Sequence, residues 1–133
     1  MTPEERRQFL QTHRLAIAGV ERKGAPPHLS PVYYVLDGED LLVSVTATRL
    51  KTKLIRRRGR LSLLVLHEAF PFPYLRVEGS ALIENDGAAG LLMRIAEKMS
   101  GNPISEAMRP NFEERARTEQ RVVLRVTPER YYP

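Results

Sequence analysis

Residues 49–60 read Arg49-Leu50-Lys51-Thr52-Lys53-Leu54-Ile55-Arg56-Arg57-Arg58-Gly59-Arg60 and hold seven cations and no acid. Just upstream, Leu42-Val43-Ser44-Val45-Thr46 reads as a strand that ends in small hydroxyl residues. A strand delivering hydroxyls into the start of a basic helix can cradle a phosphate. The first-turn N–H groups, the hydroxyls of Ser44, Thr46 and Thr52, and the charges of Arg49, Lys51 and Lys53 would all serve an anion. The same pattern also describes a solvated basic helix packed by Leu50, Leu54 and Ile55. The lack of any acid in twelve residues favours the anion site, because surface helices usually mix signs.

The charge is local. The chain has 21 Lys and Arg against 16 Asp and Glu. Taking away the seven cations of residues 49–60 leaves 14 against 16, a net −2. One patch, suited to one anionic partner, therefore carries the basic character.

Other chemistry is sparse. His13, His28 and His67 are scattered with no metal-ligand spacing, so no metal site is expected. There is no cysteine, which removes disulfides, thiolate sites and a Cys nucleophile, and fits a reducing cytoplasm. No GxSxG elbow, P-loop or GxGxxG occurs. No side chain stands out as a catalytic acid, base or nucleophile. An enzyme of this composition borrows its reactivity from an organic cofactor. In Leu29-Ser30-Pro31-Val32-Tyr33-Tyr34, a proline inside a strand removes one ladder donor and frees neighbouring backbone for a ligand ring; an ordinary edge strand would read the same.

The elements that would position these residues follow from periodicity. With 133 residues, one domain over 1–133 is expected. Thr2-Pro3-Glu4-Glu5 starts a helix with a capping box, anchored by Phe9 and Leu10. Strands are expected at 15–22, 28–36, 41–46, 61–66, 74–84 and 122–126, the last closed by Thr127-Pro128. Helices are expected at 48–58, ended by Gly59, and at 88–99, capped by Asn85-Asp86-Gly87; residues 104–118 look helical but polar. Gly79 inside a strand marks a bulge or bend. The 68–73 loop, with Pro71 and Pro73, would form a barrel rim or wall a pocket. Six mainly antiparallel strands predict a mainly β fold closed as a small barrel. No apolar run approaches the roughly 18–20 residues of a membrane span. The charged N-terminus does not read as a signal peptide, so a soluble, cytoplasmic protein is expected.

In this order the features resemble the flavin and deazaflavin split-barrel superfamily related to pyridoxamine 5'-phosphate oxidase, and within it the coenzyme F-420-dependent proteins. The resemblance covers nearly the whole chain. It rests on Leu15-Ala16-Ile17-Ala18, Ser30-Pro31-Val32-Tyr33-Tyr34, Leu41 to Val45, Arg49 to Arg57, Arg60 to Val65, Tyr74 to Ala81 and Arg130-Tyr131-Tyr132. It implies a six-stranded split β-barrel and a homodimer with a cofactor site at each interface. The phosphate would be held by Ser44, Val45, Thr46, Arg49, Lys51, Thr52, Lys53 and Arg57, and the ring would lie against Pro31, Val32 and Tyr33. The family commonly has Asn at the position of Leu54 and Asp-Pro at Arg58-Gly59, so this chain lacks one polar group that shapes the helix.

Seven cations exceed what one FMN phosphate requires and suit the anionic tail of F-420. Hydride transfer between F-420 and a small organic substrate is therefore expected. FMN is the alternative cofactor, and a flavin or deazaflavin carrier without turnover is the alternative role. A nucleic-acid-binding barrel fits less well, because aromatic residues are 7% and none falls between Arg49 and Arg60.

Overall fold

The computed structural model describes residues 1–133. Six strands run β1 (Leu15–Arg22), β2 (Ala25–Asp37), β3 (Asp40–Thr46), β4 (Arg60–Leu66), β5 (Tyr74–Glu84) and β6 (Arg121–Tyr132). They close an antiparallel barrel in the order β1-β2-β3-β6-β5-β4. The mainly β barrel expected from the strand count is borne out. Period-2 alternation sends one face inward. Ala16, Ala18 and Val20 meet Val32, Tyr34, Leu41, Val43, Val45, Leu63, Val65, Leu75, Val77, Leu124 and Val126 in the interior.

Four helices decorate the barrel: α1 (Pro3–Thr12), α2 (Leu50–Arg58), α3 (Ala88–Ser100) and α4 (Arg109–Thr118), with a 3-10 turn at Glu106–Met108. Half of the expected capping box forms at α1, where the Thr2 hydroxyl accepts the Glu5 N–H at 3.1 Å. Leu10 of α1 and Leu54 and Ile55 of α2 join the barrel core, but Leu50 is half exposed and lies outside it. Gly59 ends α2 in the left-handed region, φ 68°, where glycine carries no Cβ penalty. α3 is capped by the Gly87 backbone at φ 92° with no side-chain cap, so Asn85 and Asp86 do not play the role expected of them. The polar 104–118 segment is helical, and α4 has no fully buried residue.

Two strands outrun their expected ends. β2 starts at Ala25, so Pro26 and Pro27 lie in the strand and not in the preceding turn. This is tolerated because β2 pairs with β3 only from Tyr34 to Asp37, leaving its first half bonded on one side to β1. Pro31 sits in that half-free stretch, opposite Ile17. β6 continues through Thr127-Pro128 to Tyr132 because its register with β5 shifts between Glu78 and Gly79, which accommodates the proline. A Cβ on Gly79 would stand 2.2 Å from the Thr127 carbonyl oxygen, so only glycine fits that crossing.

Candidate functional site

Site geometry begins at the β3–α2 turn. The Thr46 carbonyl accepts the Arg49 N–H at 3.2 Å and the Thr52 hydroxyl at 2.6 Å. Thr52 is completely buried, so its hydroxyl clamps the turn and is not free for an anion, contrary to the role expected from sequence. Arg49 is the N-cap of α2 and provides no side-chain cap. The orphan N–H groups of the first turn, and the positive pole they create, are therefore left for another acceptor.

That pole gathers further positive charge. Arg121, at the start of β6, pairs in register with Thr46. Half-burial depresses the Lys51 ammonium below the ordinary lysine range, and repulsion from Arg49 and Arg121 adds to the shift. Arg49, Lys51 and Arg121 thus repel one another beside a helix N-terminus, Glu119 compensates Arg121 alone, and a further anion would relieve the rest.

The other expected cations separate from this group. Lys53 lies two residues from Lys51, about 200° around the helix. It is exposed, as are Arg56 and Arg57, and none of the three forms an ion pair. Lys53, Arg56 and Arg57 form a ridge on the solvent side of α2. Arg60 is paired with Glu21 at 2.9 Å.

Beside the cation cluster runs a groove of about 340 Å³ lined by Tyr33, Ser44, Leu92, Ile95, Ala96, Met99, Arg115 and Arg121. Its floor is the outer face of β2 and β3, its apolar wall is α3, and its charged end comes from α4 and β6. Ser44 turns its hydroxyl outward here, and that oxygen is buried with no hydrogen-bond partner. A buried orphan oxygen costs free energy unless something reaches it. Tyr33 stands half exposed at the groove. Val32 and Val45 point into the barrel core, so only their backbone remains available to a ligand, and Pro31 is exposed on the outer face. Tyr33 and Ser44 thus line the groove, Arg49 and Lys51 stand at the start of α2 and connect with it only through Arg121, and Val32, Val45, Thr52, Lys53 and Arg57 are directed elsewhere. The 68–73 loop does not line the groove; Phe70, 85% exposed, is its tip.

Sequence reasoning missed Arg121, which reaches the site through the β3–β6 pairing, and Arg115, which reaches it from α4 packed against α3. It also missed a histidine pair. His13 Nδ1 bonds the Phe9 carbonyl at 2.8 Å, and its Nε2 meets His67 Nδ1 at 3.1 Å. The pair ties the end of α1 to the end of β4.

A family model described as pyridoxamine 5'-phosphate oxidase matches residues 2–133. The chain belongs to the pyridoxamine 5'-phosphate oxidase family. This family contains flavin-binding oxidoreductases, and its split barrel is the architecture described above. Similar folds to this member of the family include a conserved hypothetical protein of Mycobacterium tuberculosis, at 20% identity and TM-score 0.84, covering 98% of this chain and 82% of that one. An F-420 reductase aligns at 20% identity and TM-score 0.73, covering 94% of each chain. An FAD-binding protein of Mesorhizobium loti aligns at 17% identity and TM-score 0.68, covering 98% and 92%. At these identities the likeness is one of fold. No curated protein matches the chain. No helix of this family member is long and apolar enough to cross a membrane.

Proposed function

We propose that this chain is an oxidoreductase that moves a hydride between coenzyme F-420 and a small organic substrate. The observation that carries the reading is the convergence of Arg49, Lys51 and Arg121 on the uncapped N-terminus of α2, next to a groove with one apolar wall. A flat ring bearing a phosphate fits both halves of that arrangement. The buried, unpartnered Ser44 hydroxyl gives a second polar point along the groove.

In this reading Arg49 and Lys51 hold the phosphate, Tyr33 and the α3 residues Leu92, Ile95 and Met99 flank the ring, and Ser44 fixes its orientation. The bound deazaflavin supplies the hydride chemistry. The chain's part is to bind, orient and exclude water. FMN carries a phosphate on a similar ring, as a monoester where F-420 has a diester, and an FAD-binding protein shares the fold. F-420 adds a tail of several negative charges, and the unpaired cations Lys53, Arg56 and Arg57 lie on the solvent side of α2, outside the groove, where only such a tail would reach them.

The pairing unit is a homodimer in the same reading. Ile17 lies between Pro31 and Leu64 in register, and Leu15 lies beside Tyr33. With Leu29, 68% exposed, these residues make an outward apolar sheet face that stays partly open to solvent. Tyr33 belongs to both this face and the groove, so a second copy seated there would wall the ring site.

The test mixes the purified protein with F-420 or FMN and passes it through a desalting column. Retention of the deazaflavin band, followed by its oxidation when reduced F-420 meets an electron-poor organic acceptor, supports the proposal. Retention of FMN alone assigns the flavin cofactor instead, and retention of F-420 without turnover assigns a carrier.

A further inference from the structure

Arg121 does not stand free at the cation cluster. Its Nε donates to Glu119 Oε1 at 2.8 Å, and the other carboxylate oxygen, Oε2, accepts from Arg115 Nε at 3.2 Å. One carboxylate therefore spans two guanidinium groups, one from α4 and one from β6. Both arginines line the groove with Tyr33 and Ser44. Arg121 also acts on Lys51. No other acid forms an ion pair with Arg115, Arg121, Lys51 or Arg49.

The corner that carries Glu119 is fixed. The Glu119 N–H donates to the Arg115 carbonyl at 3.0 Å and the Gln120 N–H to the Arg117 carbonyl at 3.2 Å. The Gln120 carbonyl accepts the Ala47 N–H at 2.8 Å, which joins this corner to the β3–α2 turn. Gln120 adopts φ 53°, a left-handed conformation that costs a non-glycine residue free energy. The fold thus accepts local strain to hold a carboxylate and two arginines against the turn that forms the phosphate cradle.

We propose that Arg115 and Arg121 are anion-binding residues of the site and that Glu119 is their internal counter-anion, displaced when a ligand's phosphate enters. The proposal rests on the cradle reading above. A phosphate oxygen on Arg121 would repeat the contact that Glu119 now makes, with the same donor geometry. The neighbouring arginines hold the Glu119 carboxyl below the ordinary carboxylate range, so at neutral pH it is ionised and competes with the ligand. Occupancy of the site is thereby set against an intramolecular anion, which disfavours ligands that bring no anionic group to the two arginines.

Equilibrium titration separates this idea from the cradle itself. FMN is compared with riboflavin, and F-420 with its phosphate-free riboside, on the wild type and on Glu119→Gln, Arg121→Gln and Lys51→Ala proteins. Circular dichroism and melting curves identify any variant that fails to fold. Glu119→Gln is expected to tighten the phosphate-bearing ligand by about two- to fivefold, the scale of an exposed ion pair, and to leave the phosphate-free ligand unchanged. Arg121→Gln is expected to weaken the phosphate-bearing ligand by roughly tenfold or more, as for loss of a charged hydrogen bond. A merely structural Glu119 would weaken both ligands when removed, and that result overturns the proposal. If Lys51→Ala weakens binding while Glu119→Gln and Arg121→Gln change nothing, the cradle stands and the displaced counter-anion falls. If no ligand binds the wild type, the cradle falls and takes this proposal with it.

Discussion

Two outward faces of the same barrel are apolar, and only one of them is fully buried. On the first, Val35 of β2, Leu42 of β3 and Val123 of β6 are buried beneath Leu91 and Ile95 of α3. On the second, Leu15, Ile17, Pro31, Tyr33 and Leu64 are adjacent on β1, β2 and β4, and none of them is fully buried. Apolar residues of equal type are thus spent on internal packing in one place and held in reserve in the other. The groove lies where the two faces meet, with Tyr33 from the partly open face and Leu92, Ile95 and Met99 from the covering helix. The buried face serves stability, and the proposed binding site lies at the border.

The sharpest way to break this comparison is to put one carboxylate on each face. Val123→Asp would strand a charge under α3, and a loss of about 3–5 kcal/mol is expected, the cost of an unpaired buried charge. Chemical denaturation would show it as a collapse of the midpoint. Leu64→Asp is expected to leave the barrel folded and to shift the protein from dimer to monomer in light scattering. If Leu64→Asp unfolds the chain instead, the partly open face is part of the internal packing and the contrast fails.

A second pair tests the barrel against the border. Gly79→Ala sets a methyl against the Thr127 carbonyl and should cost roughly 1–3 kcal/mol, the usual range for overpacking. Lys51→Ala should weaken the phosphate ligand by roughly 1–3 kcal/mol, the worth of a charge-assisted contact. It should not lower the melting temperature of the ligand-free protein, because it relieves repulsion from Arg49 and Arg121. A destabilised Lys51→Ala protein would make Lys51 a structural residue.

The smallest expected effect concerns the anchor of α3. Lys98 donates to the carbonyls of Leu10 at 3.3 Å and Tyr34 at 3.2 Å and lies 3.9 Å from the Tyr34 ring centre. Burial lowers its ammonium from 10.5 to about 8. Between those two values the unfolded chain binds the proton and the folded one releases it, so stability contributed by this group rises with pH across that window. Half-exposure keeps the gain small. Melting curves from pH 7.5 to 10 should show a rise in wild type relative to Lys98→Met; parallel curves would show that Lys98 does not titrate in that window.

Much of the barrel was legible because alternation is local. Leu75, Val77 and Ala81 against Arg76 and Ser80 announce a half-buried strand in eleven residues, and Gly79 within it marks the register shift. Gly59 likewise announces the end of α2. The run beyond Thr127-Pro128 was not legible, because the strand survives its proline only through the bulge on its partner. The site was half legible. Arg49 and Lys51 stand beside the strand-end hydroxyls in sequence, so their grouping shows without a fold. Arg121 joins them only through pairing with Thr46, and Thr52 is lost to an internal bond that no spacing reveals. Helical geometry explains why Lys53 and Arg57 leave the cluster although they lie within the same run of cations.

The most direct test of the central claim is fluorescence titration of the Arg49→Ala/Lys51→Ala double variant beside the wild type, with F-420 and FMN as ligands. The account predicts saturable binding of at least one of them to the wild type and loss of that binding in a variant whose melting temperature is unchanged or higher. Equal affinity in both proteins would contradict it, because the phosphate would then be held somewhere other than the N-terminus of α2.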